Sequence, residues 1–167
     1  RHNYPEWVPN GMESVVMLGA PVVERPGAAG PDSWGVAWDL EADAQGGTYP
    51  TEGGHTVTDL HEWRRQTRVP DVGALDWTGT AAHARQIDRA EHLVCGFVEF
   101  GLFERSYLLL GMEAALIAYL TEPETMSEIV SAVADYKIRL IERFDDEADL
   151  DMVWYGDDWG TQHILFL

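Results

Sequence analysis

The chain has one cysteine and one lysine. Cys95 alone excludes an intramolecular disulfide and a cysteine-rich zinc site. Lys137 is joined by ten arginines against 29 acidic side chains, and the formal net charge is −18. So acidic a surface repels phosphate backbones and excludes nucleic acid as a partner. No apolar run approaches the roughly 18–20 residues of a membrane span, and no basic-then-apolar leader opens the chain. GxGxxG, GxxxxGK[ST] and GxSxG are all absent, and with them the nucleotide and hydrolase routes they signal. None of the six histidines, at 2, 55, 61, 83, 92 and 163, has HxH or HExxH spacing, so no metal site is expected within this chain. These absences predict a cytoplasmic protein that acts on a small molecule.

What is present is a hydrophobic content of 46% and an aromatic content of 11% in 167 residues, enough for one domain with a core. Residues 1–80 read as irregular, with seven of the eight prolines and a glycine-dense stretch from 27 to 54. Within them, Ser14–Val23 reads as a short buried strand, Pro31–Leu40 as a strand or an aromatic-lined loop, and Thr58–Gln66 as a helix capped by Thr58 or Asp59. Residues 81–167 read as regular β/α units. A helix runs from about 78 to 90. His92–Gly101 is a nearly continuous apolar run, as in a parallel strand buried on both faces. Residues 102–120 read as one helix. A second helix follows from Thr121, with Glu124 completing a capping box and Pro123 in the first turn; its apolar positions 126, 129, 130, 133, 140, 141 and 144 share one face. After an acidic turn, Met152–Tyr155 is the next strand. Strand, helix, helix, strand indicates a parallel α/β sheet, whose functional groups collect at the C-terminal strand edge.

Glu99 stands at the end of one such strand and Asp157-Asp158 at the end of the next, so both ends face one rim. Asp157 and Asp158 are candidate catalytic residues, as proton acceptors or anchors; the alternative is a helix cap beside a solvated neighbour. Trp159, Gly160 and Gln162 add a stacking plate, room for a ligand and an amide. Glu104-Arg105 opens the helix after the first strand. Arg105 reads as a clamp for a substrate carboxylate, or as half of a surface ion pair of little value. Alternation places Trp34, Val36 and Trp38 on one side, as an aromatic wall for substrate or as core packing. The substrate-binding candidates are therefore Arg105, Glu99, Glu104, Trp34, Trp38, Trp159 and Gln162.

The segments "GFVEFGLFERSYLLLGMEAALIAYLTEPETMSEIVSAVADYKIRLIERF" and "DMVWYGDDWGTQ" resemble the uroporphyrinogen decarboxylase superfamily, as do "PEWVPN", "ERPG" and "DSWGVAW" nearer the start. The resemblance implies a TIM (β/α)₈ barrel. Such a barrel takes about 250 residues, so the chain would be roughly its N-terminal half, a single partial domain over 1–167. The apolar close "HILFL" carries the matching expectation of a fragment, or of a second chain or a homodimer mate that covers the end. The resemblance further implies a lyase of the decarboxylase type acting on a small organic or tetrapyrrole-related substrate. The family's arginine-rich early segment has no counterpart beyond Arg25, which counts against a polycarboxylate substrate. The alternative within the superfamily is corrinoid-dependent methyl transfer, with a corrinoid protein as partner and with zinc or corrinoid held by the other half. An inert assembly half is the third reading.

Overall fold

The computed structural model describes residues 14–40, 47–160 and 163–166. Its centre is the apolar run after His92. Leu93–Val98 forms the middle strand of a parallel sheet, with Val15–Gly19 on one side and Met152–Tyr155 on the other. Numbered in chain order, these are β5, β1 and β6. Val15 pairs with Leu93 and Gly19 with Phe97, while Cys95 pairs with Met152 and Val98 with Tyr155. A second sheet is antiparallel: Gly30–Pro31 (β2), Ala37–Leu40 (β3) and Thr48–Pro50 (β4) pair in that order. The fold is thus mixed α/β, and the described part of residues 1–80 holds more strand than its proline and glycine content predicts.

The helices are Trp63–Gln66 (α1), Thr78–Ala84 (α2), Leu102–Leu110 (α3), Met112–Thr121 (α4) and Pro123–Ala148 (α5). The helix predicted over Thr58–Gln66 is a 3-10 turn, Leu60–Glu62, running into the short α1, and its cap is Asp59, which accepts from the His61 N–H. The single helix predicted over 102–120 is two helices. Gly111 adopts φ 85, a conformation that L side chains rarely take, and the chain bends there. Thr121 ends α4 and donates to the Ile117 carbonyl, so no capping box forms; Pro123 nevertheless occupies the first position of α5.

The long helix α5 buries Met126, Ile129, Val133, Leu140 and Phe144, as its periodicity predicts, together with Tyr136 and Lys137. It covers the sheet face carrying Gly96, where an added Cβ would meet Leu150 and Phe144. Alternation then places Val94 and Val98 toward the helix and Leu93, Cys95 and Phe97 away from it. Register adds Met17, Met152 and Trp154 to that second face. There Met17, Leu93, Met152 and Trp154 are 40–49% exposed. The sheet therefore has one face packed on helices and one apolar face open. Among the described residues, no helix is long and apolar enough to cross a membrane.

Candidate active site

The three parallel strands end on one edge, and the carboxylates that follow them gather there. Glu99 follows β5, Glu104 lies in the first turn of α3, and Asp157 and Asp158 follow β6. These four line a single cavity of about 320 Å³ with Phe100, Trp154 and Gly156. A smaller cavity of about 140 Å³ lies on the other side of Glu99, bounded by Glu24, Arg25 and Phe97. Stacking of Phe97 on Trp154, at 4.7 Å and 5°, joins the two walls.

Asp157 has a defined structural task. Its two oxygens accept the Phe103 and Glu104 N–H groups, each at 3.0 Å, and so satisfy open donors at the start of α3. Gly101 makes the approach possible, since a Cβ there would fall 2.3 Å from the Asp157 Cβ. The cap comes from a residue 54 positions away, and it leaves Asp158 and Glu104 as the side chains open to a ligand. Asp158 is exposed and makes no hydrogen bond or ion pair through its side chain among the described residues.

Glu104 differs electrostatically from a surface glutamate. Burial raises its carboxyl above the ordinary value, and the Asp157 charge raises it further; the Asp158 and Gly101 N–H groups oppose this in part. Nearby phenols feel the same field. Tyr155 and Tyr107 are each pushed up to about 12, chiefly by burial and then by the charges of Asp157 and Glu104 respectively. A carboxyl whose proton is held more firmly than a surface glutamate's, beside an exposed aspartate, is a pairing suited to general acid–base work.

Beneath the rim lies a buried ion cluster. Arg105 is 0% exposed. One of its terminal nitrogens donates to Asp32 at 2.7 Å and the other to Glu24. Lys137 donates to Glu24 and to the Glu99 carbonyl, both at 2.7 Å. Asp32 also accepts the Trp34 and Val36 N–H groups and the Trp38 indole N–H. Two cations thus meet two carboxylates, and the cluster locks the segment after β1 to α3 and α5. Burial lowers the Lys137 ammonium and Glu24 raises it in part; burial also raises Tyr136.

Arg105 is neither the substrate clamp nor the surface ion pair expected of it: it is buried and holds two carboxylates of its own chain. Trp34 and Trp38, 1% and 3% exposed, enclose the cluster: Trp34 meets Tyr136 edge-on at 4.9 Å, and Trp38 lies 5.6 Å from Phe100. Trp159 is half exposed and stacks on Phe103 at 5.5 Å. Gln162 lies outside the described residues. Phe100 carries backbone strain at the rim, with φ 51, rare for a bulky side chain; its ring is held 5.5 Å over Arg105.

Sequence reasoning missed Glu24, Asp32 and Lys137. The signal for Lys137 was readable, since the chain's one lysine falls between Val133 and Leu140 on the apolar face of α5. Among the described residues, no three side chains of histidine, cysteine, aspartate or glutamate converge as a metal site. No family model, curated protein or solved structure matches the chain.

Proposed function

We propose that the chain is part of an α/β-barrel enzyme of the uroporphyrinogen decarboxylase type, acting on a small organic molecule at the rim cavity. Glu104 serves as proton donor, Asp158 as proton acceptor or substrate anchor, and Asp157 positions α3 beneath them. The observation that carries this reading is the convergence of Glu99, Glu104, Asp157 and Asp158 on one cavity at the C-terminal edge of a parallel sheet, where α/β enzymes place their chemistry. A sheet with helices on one face and an open apolar face on the other fits the inner lining of a barrel.

The same cavity supports the second reading, corrinoid-dependent methyl transfer, over decarboxylation of a tetrapyrrole. No arginine or lysine lines it, and Arg105 is already paired with Glu24 and Asp32. A substrate with several carboxylates needs free cations; a neutral methoxy compound or a methylammonium ion does not.

Turnover of uroporphyrinogen, a methoxyaromatic and methylamine, the last two with a corrinoid acceptor, tests both readings. Glu104→Gln is expected to lower the active reaction by about 100-fold or more. Unchanged turnover in both Glu104→Gln and Asp158→Asn would remove the rim as the active site.

A further inference from the structure

A second, mostly apolar cavity lies where the turn after β4 meets the bend between α3 and α4. It measures about 490 Å³, within the range of small-molecule sites. Val36, Leu110 and Met112 supply apolar wall, and His55, Tyr107, Glu52 and Glu113 supply the polar groups. His55 is fixed by the bend itself: a Cβ on Gly111 would sit 3.4 Å from its Nδ1, so the imidazole packs directly on the glycine. Neither the His55 ring nor the Tyr107 hydroxyl makes a hydrogen bond among the described residues.

Charge decides what fits. Glu52 and Glu113 are exposed at this cavity, and no lysine or arginine lines it. The negative charge at this cavity comes from Glu52 and Glu113; the carboxylates that act on the Tyr107 phenol, Glu104, Asp158 and Asp157, belong to the rim.

We propose that this cavity is a second ligand site, distinct from the rim, which takes a small amphipathic amine with its apolar body against Leu110 and Met112 and its ammonium between Glu113 and Glu52. The two sites share α3, with Glu104 and Tyr107 one turn apart on it.

Phenethylamine is the probe, and phenylacetate is its anionic counterpart. Titration of the full chain is followed by NMR, with the Met112 methyl reporting this cavity and the Trp154 indole reporting the rim. Phenethylamine is expected to saturate the Met112 shift and to bind at least about tenfold more tightly than phenylacetate. Glu52→Gln with Glu113→Gln, both exposed and safe for folding, is expected to weaken it about tenfold. Ala114→Trp fills the cavity and is expected to abolish the shift. Equal binding of phenylacetate, indifference to the double glutamine variant, absence of saturable binding, or shifts confined to Trp154 would each overturn the proposal. None of these outcomes bears on turnover at the rim, so the two readings fail separately.

Discussion

Arg105→Met is expected to be the most damaging single change in the folded core. The guanidinium is 0% exposed and donates to two carboxylates. Its removal leaves the cluster with two negative charges against one. Glu24 keeps Lys137, and Asp32 keeps three neutral N–H donors, so neither carboxylate is left bare. Asp32 nevertheless loses its only cationic partner and Glu24 one of two, and methionine restores only the volume of the side chain. Breaking a buried pair from one side costs about 3–5 kcal/mol. For a domain of this size, each kcal/mol moves Tm by about 2–4 °C, so the expected fall is about 10 °C. The internal control is Arg64→Met. Arg64 pairs with Glu128 at 3.0 Å, but the two side chains are 66% and 52% exposed, and such a pair contributes at most about 1 kcal/mol. Urea unfolding of the two variants measures the difference. A loss in Arg105→Met no larger than in Arg64→Met would show that Arg105 is solvated and that the buried cluster does not exist in solution.

Asp157→Ala removes the remote cap of α3 and is expected to cost about 2 kcal/mol, whereas Asp157→Asn keeps one acceptor and is expected to cost about half as much; urea midpoints report both. Gly101→Ala is expected to displace the same carboxylate, so the double variant Gly101→Ala with Asp157→Ala should cost less than the two singles together; additive losses would mean that the glycine and the cap are independent. Glu104→Gln is expected to raise Tm at neutral pH. A carboxyl raised above its ordinary 4.5 stabilises fully only below that value, and the contribution is lost as pH rises through the folded pKa. The advantage of the glutamine variant should therefore shrink below pH 4.5, and a constant offset across pH would contradict this.

The middle of the fold was legible because its signals are local. The apolar run of β5 and the one-sided periodicity of α5 each specify an element within a few turns of chain, and the acidic ends of β5 and β6 meet at one rim as their order implies. The bend within 102–120 is hidden in the sequence because Gly111 reads equally well as a tolerated helical residue or as a bend; its φ of 85 shows the bend. The rest was hidden by distance along the chain. Arg105 finds Asp32 and Glu24 across 73 and 81 residues, and Asp157 finds α3 across 54. The clamp, the cap and the aromatic wall were recognised as chemistry, but their partners proved to be groups of the protein itself.

The most direct measurement is the carboxyl titration of Glu104 by carbon NMR, in the wild-type chain and in Asp157→Asn. A working acid at the rim requires that burial and the neighbouring aspartate act on this one group. The expected result is a titration above 4.5 that moves downward when the Asp157 charge is removed. A wild-type midpoint at or below 4.5, unmoved by the substitution, would contradict the rim as a site of proton transfer.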